Sequence, residues 1–222
     1  MIAAVDVPLG ILGDVAFTFG DVPTTWGEVA AFVTGALCVW LVARQHVANW
    51  PIGIANAAFF LLLFASYGLY ADSGLQLVYI GLGAYGWWSW LHGGAERTEL
   101  EVSRTSSGQW LLVGGFVVVA TAALWLLLDR ATDSNVPFWD AATTALSLAA
   151  TWGQTRKKVE SWWIWLTADA IYIPLFLFKG LTLTAGLYVV FATLCVLGLR
   201  QWRADLRTIE AGRGHPLEVV PA

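Results

Sequence analysis

Ser161–Phe178 reads SWWIWLTADAIYIPLFLF. A hydrocarbon core about 30 Å thick is crossed by about 20 apolar residues in helical form, so this run is a membrane span, and it carries one acid. Trp162, Trp165, Asp169 and Tyr172 are spaced i, i+3, i+7, i+10, which puts them on one helical face. A carboxyl in mid-span costs at least a few kcal/mol even on generous insertion scales. Two readings stand: Asp169 bonds a neighbouring helix as structural glue, or it is the counter-charge for a ligand in a cavity walled by the two indoles. Just before the run, Arg156-Lys157-Lys158 supply the basic cluster that marks a cytoplasmic end.

The rest of the chain has the same character. Its 222 residues are a soft prior for one domain or two. Hydrophobic residues make up 58% and charged residues 13%, against roughly 45–50% and about 25% in soluble domains. Mean hydropathy is +0.64. A soluble domain, a disordered chain and a disulfide-stapled secreted fold are excluded. So is a basic nucleic-acid binder, because the formal charge is −4. Cys38 and Cys195 lie in apolar runs and read as small core residues. Residues 1–21 carry Asp6, Asp14 and Asp21 and no Lys or Arg, so the basic start of a signal peptide is missing.

Seven apolar runs emerge: Trp26–Val42, Trp50–Tyr70, Ser73–Trp90, Trp110–Leu128, Phe138–Trp152, Ser161–Phe178 and Leu181–Trp202. The fifth is the least apolar. Its Asp140, Thr143, Thr144, Ser147 and Thr151 share a face, which should turn toward the bundle interior rather than lipid. The basic residues support seven spans. Only Arg130 and Lys179 of the 12 fall on the N-terminal side of the membrane, while Arg44, Arg97, Arg104, Arg156, Lys157, Lys158, Arg200, Arg203, Arg207 and Arg213 fall on the other. The expectation is a multi-pass plasma-membrane protein with its N-terminus outside and C-terminus in the cytoplasm. Trp26, Trp50, Tyr70, Trp90, Trp110 and Trp202 sit at span ends as an interfacial belt would. The polar tail from Arg203 is expected to be loose.

A shift of 112 residues aligns 28–90 with 140–202 without a gap. Identities include Trp40/Trp152, Arg44/Arg156, Trp50/Trp162, Gly86/Gly198 and Trp90/Trp202. Seventeen of 63 positions match, where about 5 are expected by chance. The expected fold is therefore an all-α polytopic membrane protein with seven transmembrane helices in a 3+1+3 parallel repeat. It divides into an extracytoplasmic segment (1–23), a first three-helix repeat (24–92), a loop and linking helix (93–136), a second repeat (137–202) and a cytoplasmic tail (203–222). Parallel repeats of this kind occur in SWEET-type sugar transporters, which rock one half against the other around a central site.

Few polar groups lie deep in the spans. Asn56 and Phe59 on the second helix sit at a depth similar to Asp169, and Asn56 aligns within one residue of it. Gln76 and Tyr79 on the third helix, and Thr184 and Tyr188 on the seventh, add donors and acceptors. Each alone reads as packing or an interhelical bond; together they form a polar and aromatic cage. No Lys or Arg lies deep in any span, so a phosphorylated ligand would find no cation. An aromatic cation suits the set better, held by cation–π attraction with Asp169 as counter-ion. Other classes fit poorly. A retinal protein needs a Lys in its last span, and Leu181–Trp202 has none. An enzyme would show a metal or nucleophile motif, whereas His46, His92 and His215 lie at span ends or in the tail.

These residues resemble the PnuC family of vitamin transporters over about 26–202. The resemblance rests on Pro137-Phe138-Trp139-Asp140-Ala141, on Arg156-Lys157-Lys158-x-Glu160-x-Trp162-x-x-Trp165-x-x-x-Asp169 with Tyr172, and on Lys179-Gly180-Leu181-x-x-Thr184-Ala185-x-x-Tyr188. Asn56-x-x-Phe59, Leu75-Gln76 and Tyr85-Gly86-Trp87-Trp88-x-Trp90 add to it. The resemblance implies a substrate site at Trp162, Trp165, Asp169, Asn56 and Phe59, with Asp where many members have Asn. It implies facilitated diffusion of nicotinamide riboside, trapping of the nucleoside by a cytoplasmic kinase, a homotrimer in the lipid bilayer, and no cofactor or metal. Thiamine and riboflavin are carried by related members and remain alternatives.

Overall fold

The computed structural model describes residues 14–19, 22–66, 70–131, 136–178 and 182–213. Residues 1–13 of the N-terminal segment, Lys179 and residues 214–222 of the tail lie outside them. Each of the seven apolar runs has its helix among the described residues: α1 (Trp26–Ala43), α2 (Asn49–Ser66), α3 (Tyr70–His92), α4 (Ser107–Ala131), α5 (Pro137–Thr155), α6 (Ser161–Phe178) and α7 (Thr182–Arg213), with Tyr70 opening α3 rather than closing the second run. Among the described residues, three stretches are long and apolar enough to cross a membrane by themselves: Ser107–Arg130, Ser161–Phe178 and Thr184–Gly212. Phe32–Ala43 and Asn49–Ala65 are shorter apolar runs.

One expectation needs correction and one element was not foreseen. Before α1, β1 (Val15–Phe19) and β2 (Val22–Thr25) pair antiparallel. Valine, phenylalanine and threonine favour extended backbone there, and the Trp26 amide donates to the Asp14 carbonyl, fastening the hairpin to the start of α1. The tail is not loose from Arg203, because α7 runs on to Arg213. Ala204, Leu206, Arg207 and Glu210 are good helix formers, Leu206 is buried, and Asp205 accepts a hydrogen bond from the Gln45 side chain at 2.6 Å.

Helix α4 packs on α5 and presents Leu111, Leu112, Val118 and Val119 outward, each more than two-thirds exposed. Only lipid or another apolar surface could cover such a face. Among the others, α2 packs on α3 and α6 on α7, while α1 meets α7 and α3 meets α5.

The buried core is built from indoles and glycines. Trp50 meets Trp90 edge to face at 5.3 Å and 88°; Trp162 meets Trp202 at 5.4 Å and 85°. A Cβ on Gly86 would collide with the Trp50 ring, and one on Gly198 with the Trp162 ring. Both glycines are therefore required by close approach. The Trp90 indole donates to the Gln154 carbonyl at 2.9 Å, and the Trp202 indole to the Val42 carbonyl at 3.1 Å. Those carbonyls also accept the amides of Lys157 and Gln45 in the following turns, where both residues take positive φ. Every one of these pairs is offset by 112 residues.

Candidate functional site

A cavity of about 370 Å³ lies among six helices, α4 excluded. That is within the usual range for small-molecule sites. Helix α6 gives it Trp162, Trp165, Asp169 and Tyr172; α7 gives Tyr188, Phe191 and Cys195. Tyr79 enters from α3, Ser147 and Gln154 from α5, and Gly35, Cys38, Val39 and Val42 from α1, with Asn49 at the start of α2.

Asp169 is 2% exposed. The Cys195 thiol donates to its Oδ2 at 3.6 Å, a weak partner for an acid. Among the described residues, no Lys, Arg or His lines the cavity. Trp162 and Trp165 bring indole N–H groups that are buried and have no hydrogen-bond partner. Leaving such a donor unmet costs about 1–3 kcal/mol, so both are ready for acceptor atoms of a ligand. Tyr172 and Tyr188 lie with ring centroids 4.6 Å apart, and Phe176 stacks on Tyr188 at 5.1 Å and 26°. Ser147 joins the tyrosines in the cavity wall. Thr143, Thr144 and Thr151 donate to carbonyls one turn back on their own helix.

The end of the cavity toward Arg156 is floored by indoles. Lys157 is buried there, its ammonium 4.7 Å from the Trp90 ring centre. Burial pushes the Lys157 pKa below its ordinary value, against the opposing pull of Glu99 and Asp205.

Six of the residues picked from sequence come together in this cavity: Tyr79, Trp162, Trp165, Asp169, Tyr172 and Tyr188. Asn56 and Phe59 do not join them. They line a second cavity of about 450 Å³ with Ala30, Thr34, Pro51 and Ala55 on α1 and α2, where the Asn56 amide donates to Thr34 Oγ1 at 2.7 Å. The one-residue offset explains this. Asp169 corresponds to Ala57, and one residue along a helix is a turn of about 100°. Gln76 and Thr184 are half-buried and line neither cavity. Cys195, Phe191, Cys38 and Gly35 are wall residues not picked from sequence. Spacing could have found two of them, since Thr184, Tyr188, Phe191 and Cys195 follow i, i+4, i+7, i+11 on α7.

Residues 25–204 match the nicotinamide mononucleotide transporter family. The chain belongs to that family. Relatives within the nicotinamide mononucleotide transporter family bear different substrate names. The nicotinamide riboside transporter PnuC of Escherichia coli (strain K12) is 23% identical over 217 residues, covering 86% of this chain and 91% of that protein. The riboflavin/roseoflavin transporter RibM of Streptomyces davaonensis is 28% identical over 211 residues, covering 90% and 97%. A crystal structure of the vitamin B3 transporter PnuC superposes with a TM-score of 0.64 at 26% identity, covering 82% of this chain and 83% of that one. The chain is thus a membrane transporter of the PnuC type, built from apolar helices around a central cavity.

Proposed function

We propose that this transporter carries nicotinamide riboside by facilitated diffusion and alternating access, and that a cytoplasmic kinase traps the nucleoside by phosphorylation. The observation that carries the choice of substrate is Asp169, a buried acid in a cavity lined by no basic side chain among the described residues. A pyridinium nucleoside supplies the missing positive charge, stacks on the Trp and Tyr rings, and offers ribose oxygens to the free indole N–H groups. A phosphate would meet a carboxylate and no cation. Riboflavin is the second reading, favoured by the similarity to RibM along 97% of that protein. A neutral flavin leaves Asp169 without a counter-charge. Thiamine, also an aromatic cation, shares the charge argument.

In this reading the site is Trp162, Trp165, Asp169, Tyr172, Tyr79 and Tyr188, with Asn56, Phe59, Gln76 and Thr184 outside the cavity in the state described. The chain is arranged as a SWEET-like 3+1+3, α1–α3 and α5–α7 being parallel units joined by α4. The repeated indole, glycine and carbonyl contacts at an offset of 112 residues support this arrangement. The basic ends of the helices face the cytoplasm, placing the N-terminus outside and the C-terminus inside. The exposed apolar faces suit a homotrimer in lipid.

Calorimetry on the purified protein tests the substrate. Nicotinamide riboside should bind and nicotinamide mononucleotide should not compete. Flavin binding with no response to the riboside would transfer the assignment to riboflavin. Uptake into proteoliposomes should stop when inside and outside concentrations are equal; accumulation against a gradient would end the diffusion reading.

A further inference from the structure

We propose that the two indole hydrogen bonds joining α3 to α5 and α7 to α1 are a paired latch. The latch closes the cavity toward its basic end, and access from that end requires at least one of the two bonds to release. The proposal rests on the alternating-access reading above.

Val42, Gln154, Asn49 and Trp162 line the cavity where it approaches the turns bearing Arg44 and Arg156. Directly behind them lie Trp90 and Trp202, 3% and 0% exposed, with ring centroids 6.1 Å apart. Trp90 on α3 donates to Gln154 on α5, and Trp202 on α7 donates to Val42 on α1. Among the described residues, these are the two helix pairs through which the halves pack closely. A molecule leaving at this end must pass between the halves, and it must part α1 from α7 or α3 from α5 near these residues. Either parting breaks an indole bond. The carbonyls tolerate it, since each keeps its turn amide at 2.9 Å (Gln45 to Val42) or 3.0 Å (Lys157 to Gln154). Within each half the indoles are held separately, by Trp50 over Gly86 and Trp162 over Gly198. The donors can therefore move with their own half as rigid bodies. Each latch has a flanking tie: the Gln45 side chain donates to Asp205 beside one, and the Lys157 ammonium covers Trp90 beside the other.

The chain's two cysteines, Cys38 and Cys195, both line the cavity and serve as native reporters. The test is labelling by a membrane-impermeant thiol reagent in proteoliposomes of known orientation, using Trp90→Phe, Trp202→Phe and the double variant of the full chain. Phenylalanine keeps an aromatic ring and removes the N–H. Labelling from the basic side should rise roughly three- to tenfold in each single variant, the shift expected when a two-state equilibrium loses one net hydrogen bond, and further in the double. Labelling from the other side should not rise. Unchanged labelling from the basic side in both single variants overturns the latch, and an equal rise from both sides shows mere loosening of the frame, which also overturns it. Should either Trp variant fail to fold, Gln45→Leu weakens one flanking tie without touching the indoles; it should raise basic-side labelling more weakly, and no rise overturns the proposal. No substrate is involved, so failure here is distinct from failure of the vitamin assignment.

Discussion

Helices α2–α3 and α6–α7 have the same frame and different contents. In both, a Trp at the start of the first helix lies over a Gly of the second and meets the edge of a Trp four residues further on. At mid-helix they diverge. Position 57 is a buried alanine, while its counterpart at 169 is a buried acid bonded to a thiol. The indole of Trp162 faces a cavity with Asp169 and Tyr172 on the same helical face; beside α2 a separate cavity, on another face of that helix, is lined by Asn56, already engaged with Thr34. Duplicated packing and unduplicated chemistry separate what holds this protein together from the face proposed to bind its cargo.

The largest effects should come from breaking the frame. Gly86→Val and Gly198→Val each force a branched side chain into an indole ring, an overpacking cost of about 1–3 kcal/mol or more. Both variants should lose most of their monodisperse protein after mild heating in detergent, to a similar extent. If only Gly198→Val is damaged, the two frames are not equivalent and the comparison fails.

Next comes the unduplicated acid. Asp169→Ala should weaken binding of nicotinamide riboside about 10- to 100-fold, the range for a hydrogen-bonded charge pair, with thermal stability preserved or increased because a poorly paired buried acid is gone. Titration calorimetry checks the first and a melting curve the second. Unchanged affinity would assign Asp169 to structural glue. Trp165→Phe sharpens the same point. It keeps a ring in the wall and deletes an unpartnered N–H, so affinity should fall about three- to tenfold. No fall would mean that the donor is not used by the ligand.

Much of this was legible in the residues. Seven helices followed from apolar runs because lipid demands a full span of them, and the indole–glycine pairs were already visible as identities at a fixed offset. The Trp162, Trp165, Asp169, Tyr172 face followed from helical periodicity alone. What failed was phase and context. Asn56 matches Asp169 in depth and not in rotation, and depth is all that a near-alignment conveys. Cys195 looked like core, and it is both core and wall, because a thiol small enough to pack is also able to donate to a carboxylate. The helical extension past Arg203 was hidden by polarity, although Leu206 carried its buried face.

The smallest expected effect is the most discriminating. Asn56 shares a sequence motif with Phe59, yet its amide is spent on Thr34 in a cavity separate from the one holding Asp169. Residues 34 and 35 of α1 line different cavities, so this helix stands between them. If the cargo binds only beside Asp169, Asn56→Ala should change its affinity by less than about twofold, while costing about 1 kcal/mol of stability from one lost hydrogen bond. If instead α1 turns during transport and brings Asn56 into the central cavity, binding would fall as steeply as in Trp165→Phe. The side chain would then be needed in one state and bonded to Thr34 in the other, so Thr34→Val, which frees Asn56 without removing it, should raise affinity. Opposite signs for Asn56→Ala and Thr34→Val would make the two cavities parts of a single moving site. Matched small effects would leave the α2 half as frame and the α6 half as chemistry.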